Sequence, residues 1–79
     1  LNILMNYYVY VIGSKKEPVR TYIGWTINLK RRILKHNLGV GAKFTRGRKW
    51  KILYTETLNS KNFACGAFLY HHGHNYNAI

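Results

Sequence analysis

Tyr8-Val9-Tyr10 and Tyr22-Ile23-Gly24 stand twelve to fourteen residues apart, and Arg32 and His36 follow them, one helical turn from each other. Two phenols, a guanidinium and an imidazole are the groups that would converge on a phosphodiester. The phenols would accept a proton or orient water, and the guanidinium would meet charge building on the phosphoryl oxygens. The imidazole would hydrogen-bond the phosphate or pass a proton. Such a site normally also takes a carboxylate to hold a divalent cation, which prefers oxygen ligands. The chain has two acidic side chains, Glu17 and Glu56, and neither sits where such a site needs it.

The elements that must position these groups follow from local patterning. Tyr7 to Ile12 is β-branched and aromatic and predicts a strand. Gly13 to Pro18 predicts a turn, and Val19 to Gly24 a second strand paired antiparallel with the first. Alternation then puts Tyr8, Tyr10 and Ile12 on one face of the hairpin, with Tyr7, Val9 and Val11 on the other. Thr26 or Asn28 caps a helix running to about Asn37, and Gly39 ends it. Leu29, Ile33 and His36 form its buried stripe. Arg32 borders that stripe, a position where arginine is seldom placed without a partner. Lys30, Arg31 and Lys35 point away. Val40 to Lys49 reads as a loop rich in glycine and cations. Trp50 to Thr57 predicts a third strand, with Trp50, Ile52 and Tyr54 on one face, and Ser60 opens a second helix. The expected fold is α/β (α+β), a small three-stranded antiparallel sheet flanked by helices in ββαβα order, forming a single domain over residues 1–79.

Composition narrows the partners. Thirteen Lys and Arg against two acidic residues give a net charge of +11. Nine of the thirteen lie between Lys30 and Lys51, interleaved with aromatic and glycine residues rather than along one face of an amphipathic helix. That distribution points to nucleic acid rather than to a membrane surface. Lys43, Arg46, Arg48, Lys49 and Lys51 are candidate phosphate contacts, and Trp25 and Phe44 candidate stacking platforms for unpaired bases. No apolar run approaches the roughly 18–20 residues of a membrane span. The lone cysteine, Cys65, excludes an internal disulfide and suggests a reducing, cytoplasmic setting.

The ordered set Tyr10, Tyr22-Ile23-Gly24, Thr26, Leu29, Arg32 and His36 resembles the GIY-YIG nuclease superfamily, in its short stand-alone bacterial branch. Tyr8 stands where the first tripeptide usually has glycine, and Gly41 to Arg46 is similar to a loop of that branch. The resemblance covers residues 7–64. It implies metal-assisted phosphodiester hydrolysis on DNA, with Mg2+ or Mn2+ as cofactor. Tyr22 would act as a phenolate base favoured by nearby cations, Tyr10 would orient the water, Arg32 would neutralise phosphoryl charge, and His36 would bind phosphate or move a proton. Gly24 would let the backbone approach the substrate. Taken singly, strand tyrosines are usually core residues, a seam histidine is usually a satisfied core group, and Arg32 has Glu56 as an alternative partner. The joint pattern is what favours chemistry.

One departure stands out. The family carries its metal on a glutamate in an Ala-x-x-x-Glu pattern after the third strand. Counting from Ala64, that position is Phe68, which cannot ligate a hard cation. The tail from 65 to 79 is atypical throughout, and Gly66 and Gly73 weaken its helix. Three readings of it stand open: a domain that binds without cutting, a substitute metal site from Glu56 or from His71, His72 and His74, and a tail altered by a shift of reading frame near codons 62–66. A disordered tail is the expectation for its structure.

Overall fold

A computed structural model describes residues 5–72 of the chain. Three strands and two helices follow one another as β1 (Tyr7–Ser14), β2 (Arg20–Thr26), α1 (Leu29–Leu38), β3 (Lys51–Leu58) and α2 (Lys61–His72), with a single 3-10 turn at Lys43–Thr45. The order is ββαβα, as expected. The sheet is antiparallel throughout, with β1 between β2 and β3. A central strand has neighbours on both edges, and here it is covered on both faces: Val9, Tyr10, Val11 and Ile12 have no exposed surface.

The two faces have different covers. Tyr10 and Ile12 form a core cluster with Trp50, against which Tyr22, Leu29 and Ile33 pack, so α1 lies on this side. Helix α2 lies on the other. Its Lys61 sits over the ring of Trp25 at 5.8 Å and its His71 bonds Glu56 at 3.0 Å. Trp25 and Glu56 both pair with Val9 in register, and so share its face.

Helix α1 starts and stops on the residues expected to punctuate it. Asn28 is the N-cap, its Oδ1 accepting the Arg31 N–H at 3.1 Å. Gly39 turns the chain off at φ 81°, and the N–H groups of Gly39 and Val40 close on the carbonyls of His36 and Lys35 at 3.2 and 3.0 Å.

Two expectations need correction. The expected single face of Trp50, Ile52 and Tyr54 is split. Trp50 precedes β3, and Ile52 pairs with Ile12 while Tyr54 pairs with Val11. Leu53 is the extra residue of a bulge, and one inserted residue sends everything after it to the opposite face. Helix α2 is the second correction. It continues through Gly66 to His72, where a disordered tail was expected. It packs across all three strands and buries Ala64 completely, and that burial outweighs a glycine penalty of about 1 kcal/mol. Residues 73–79, Gly73 and His74 among them, lie outside the described residues. No helix among the described residues is long and apolar enough to cross a membrane.

Candidate functional site

Tyr10, Tyr22, Arg32 and His36 converge on the α1 side of the sheet. Tyr10 lies at the centre: its hydroxyl is 2.8 Å from His36 Nε2 and accepts the Arg32 Nε–H at 3.3 Å. Its ring centroid is 6.4 Å from that of Tyr22 and 5.7 Å from that of His36, while Tyr22 and His36 approach to 5.0 Å. Two strands supply the phenols and two successive turns of α1 supply the guanidinium and imidazole.

The hydrogen bonds extend one residue further. His36 Nδ1 lies 2.8 Å from Thr45 Oγ1, which in turn donates to the Ala42 carbonyl at 2.9 Å and accepts the Ala42 N–H at 3.3 Å. The ends of this chain fix its direction. Arginine has only donors and a carbonyl only accepts. Thr45 therefore gives its single proton to Ala42 and accepts Nδ1–H from His36. A neutral His36 is then unprotonated at Nε2, and Tyr10 donates its hydroxyl to that nitrogen. Every buried side-chain nitrogen and oxygen among the described residues has a partner.

Electrostatics agree with that assignment. Burial first, then the charge of Arg32, pulls the His36 imidazole down to about 4, so it is neutral near pH 7. Burial also raises the Tyr10 phenol and outweighs the opposing hydrogen bond and charge of Arg32. Tyr10 is thus a neutral, fully buried hydroxyl. The Arg32 guanidinium is held in its charged form, chiefly by its bond to Tyr10. Tyr22 and Arg32 remain half-buried, which leaves them as the members of the cluster that meet solvent.

Two glycines make the cluster possible. Gly24 pairs with Tyr10 across the hairpin, and a Cβ there would collide with the Tyr10 hydroxyl and lie 2.6 Å from Cζ. The room expected for substrate is filled by the phenol of Tyr10 itself. A Cβ at Gly41 would lie 2.8 Å from His36 Nδ1, so only glycine lets the loop bring Thr45 against the ring. Thr45, fully buried, is the member that the sequence reading missed. Its signal was the spacing Gly41 to Thr45 inside a loop already singled out.

Other candidates fall elsewhere. Trp25 sits on the opposite face, against Tyr7 at 6.0 Å and under Lys61, because alternation along β2 turns it away from Tyr22. Arg48 is tied down: its Nη1 donates to the carbonyls of Lys16 and Pro18 at 2.7 and 2.8 Å and to Ser14 Oγ at 3.4 Å. Lys43 and Arg46 are exposed on either side of Phe44, whose ring stacks on Tyr22 at 6.1 Å and lies under Arg20 at 5.1 Å. Lys49 is exposed beside the turn after β1.

The described residues around this cluster do not fit a hard divalent cation. Glu56 lies across the sheet from Tyr10, where it accepts Tyr54 OH at 2.9 Å and bonds His71 Nε2 at 3.0 Å. Those contacts hold its carboxyl below the ordinary value, and Arg32 pairs with Tyr10 instead. No group of three His, Cys, Asp or Glu converges among the described residues. His74 and the side chain of His72 fall outside them.

The sequence matches the GIY-YIG catalytic domain over residues 6–70. It is 48% identical over 58 residues to a UPF0213 protein of Clostridium perfringens, covering 72% of this chain and 60% of that protein. It is 42% identical over 60 residues to a UPF0213 protein of Natronomonas pharaonis (75% and 68%), and 44% identical over 61 residues to one of Streptococcus agalactiae (76% and 67%). The chain thus spans 60 to 68% of the length of these three relatives. No solved structure matches it.

Proposed function

The chain belongs to the family of GIY-YIG catalytic domains, and we propose that it is a nuclease-type domain that takes DNA and directs water at a phosphodiester held against Tyr22 and Arg32. Tyr22 is the group placed to take the proton of the attacking water as the water oxygen bonds phosphorus and the P–O bond to the leaving oxygen breaks, that oxygen taking its proton from solvent. Arg32 meets the charge that builds on the phosphoryl oxygens, an effect worth about 10²–10³ in rate for one well-placed donor. Tyr10 and His36 are positioning residues: Tyr10 fixes Arg32 Nε, and His36 fixes the Tyr10 hydroxyl. Lys43 and Arg46 neutralise flanking phosphates by Coulomb attraction, and Phe44 offers a part-exposed ring beside Tyr22. The observation that carries this reading is the directed chain from Arg32 through Tyr10 and His36, which holds the guanidinium half-buried against the Tyr10 hydroxyl rather than extended into solvent.

A second reading is favoured by one observation. Position 68 is phenylalanine, and the carboxylate of Glu56 lies on the wrong face of the sheet. A domain with this donor set binds the phosphodiester and leaves it uncut.

Supercoiled plasmid incubated with the purified protein and either Mg2+ or Mn2+ separates the two. Metal-dependent nicking that is lost in both Tyr22→Phe and Arg32→Ala supports hydrolysis. Retardation of the plasmid with no nicking supports binding alone. Neither retardation nor nicking refutes both.

A further inference from the structure

A second cationic surface lies away from Tyr22. The turn after β1, the C-terminal end of α1 and the segment from 47 to 51 enclose a cleft of about 570 Å³. Lys15, Lys16, Arg48, Lys49 and Lys51 line it, and no acidic side chain does. Its walls are braced. Lys16 Nζ donates to the Gly47 carbonyl at 3.1 Å, Arg48 clamps the turn, and the Asn37 amide grips the Trp50 backbone in both directions at 2.6 and 3.2 Å. Lys15, Lys49 and Lys51 are exposed.

Five cations are thus held around one cleft whose lining carries no acidic side chain, Glu17 next to Lys16 being outside it. The ion pair that the described residues do form, His71 with Glu56, lies on the opposite face of the sheet. The carbonyl end of α1 contributes a partial negative charge of about half a unit, and the N–H groups of Gly39 and Val40 already cap two of its carbonyls. Mutual repulsion among the lysines therefore dominates, and an anion with repeated charges relieves it best. Lys15 follows Ser14, which lies two strand residues beyond Ile12, the cross-strand partner of Tyr22, or about 7 Å at ~3.3 Å per residue. Along duplex DNA that distance covers about two base pairs at ~3.4 Å each.

We propose that this cleft grips the sugar-phosphate backbone of duplex DNA about two base pairs from the phosphodiester presented to Tyr22 and Arg32. This rests on the nucleic-acid reading above and adds a second anchoring point to it. The cleft fixes how far the duplex must extend past Tyr22 and Arg32, in addition to the exposed cations Lys43 and Arg46.

The test is a salt titration of a 5′-fluorescein-labelled duplex of about 20 base pairs. The unaltered chain is compared with Lys15→Gln/Lys51→Gln and with Lys43→Gln/Arg46→Gln. Each duplex phosphate contact adds about 0.9 to the slope of log affinity against log salt. The cleft variant is expected to lose between about 0.9 and 1.8 of that slope, with circular dichroism matching the unaltered chain. An unchanged slope in the cleft variant, alongside a reduced one in Lys43→Gln/Arg46→Gln, overturns the cleft and leaves the nucleic-acid reading standing. An unaltered chain that fails to bind the duplex overturns both. Inorganic phosphate alone is the remaining arm. If it occupies the cleft, read from the Gly39 and Gly47 amide resonances, without weakening duplex binding, the site belongs to a free anion and the backbone assignment falls.

Discussion

Gly24 lies directly beneath the phenol of Tyr10, where even one methyl group would meet the ring at Cζ 2.6 Å away. The tyrosine of the first tripeptide and the glycine of the second are therefore one packing unit, joined across the hairpin by the pairing of Tyr10 with Gly24. Gly24→Ala forces the ring off its position, an overpacking cost of about 1–3 kcal/mol. The displaced hydroxyl then leaves Arg32 and His36 together. Urea denaturation of Gly24→Ala, Tyr10→Ala and the double variant checks this. The cost of alanine at 24 should largely disappear once the ring is gone, because contacting residues are non-additive. Equal costs in both backgrounds would show that the glycine serves something other than Tyr10.

The neutrality of His36 gives the fold an acid-side weakness. Its unfolded value is 6.5, whereas burial and the charge of Arg32 bring the folded value to about 4. Between those values the unfolded chain binds the extra proton, so stability falls as pH drops through that window and levels off below it. Glu56 is also depressed when folded, but from 4.5 downwards, so its loss begins at the acid edge of the His36 window. Chemical denaturation from pH 8 to pH 4 should show the decline beginning near 6.5. His36→Gln should flatten it above about 4.5. An NMR titration that places the His36 midpoint near 6.5 would contradict a buried neutral ring.

Thr45 acts on the cluster without touching its exposed rim. It accepts the Nδ1 proton of His36, and that bond leaves Nε2 free to accept from Tyr10. Thr45→Val keeps the shape and removes the acceptor, leaving a buried N–H unpaired at about 1–3 kcal/mol. Thr45→Ser restores the oxygen and should recover most of that loss. The discriminating readout is the pair of His36 ring 15N shifts, which should report a proton fixed on Nδ1 in the unaltered chain and mixed tautomers in Thr45→Val. Unchanged shifts would mean that Thr45 only fills space.

Much of this arrangement was legible before the fold was known, because it is written in local rules. Alternation along β1 put Tyr10 and Ile12 on one face, and helix periodicity put His36 on the buried stripe with Arg32 at its edge. Asn28 and Gly39 announced the ends of α1. What escaped depends on contacts between distant residues. The Leu53 bulge is set by pairing with β1, and nothing in the pattern Trp50, Ile52, Tyr54 betrays it. Trp25 is a plausible base-stacking ring by type, and its parity on β2 puts it on the face away from Tyr22. Thr45 needed the knowledge that Gly41 passes within contact of His36. Helix α2 was underestimated because propensity at Gly66 was weighed without the sheet it covers.

Arg48 offers the clearest division between charge and structure. A single nitrogen of its guanidinium serves the carbonyls of Lys16 and Pro18 and the hydroxyl of Ser14, which fastens the β1–β2 turn to the segment before β3. Hydrogen bonds from a charged donor contribute about 1.5–3 kcal/mol each at most, and less where solvent competes. Arg48→Gln should therefore lower the urea midpoint by an amount equivalent to about 1–2 kcal/mol. Arg48→Lys should keep a larger part, because an ammonium group also carries several protons to share among three acceptors. A phosphate contact with no structural role would behave oppositely, since removing one member of a crowded set of cations relieves repulsion and raises the midpoint. The sign of the midpoint shift in Arg48→Gln, measured without nucleic acid, decides between them.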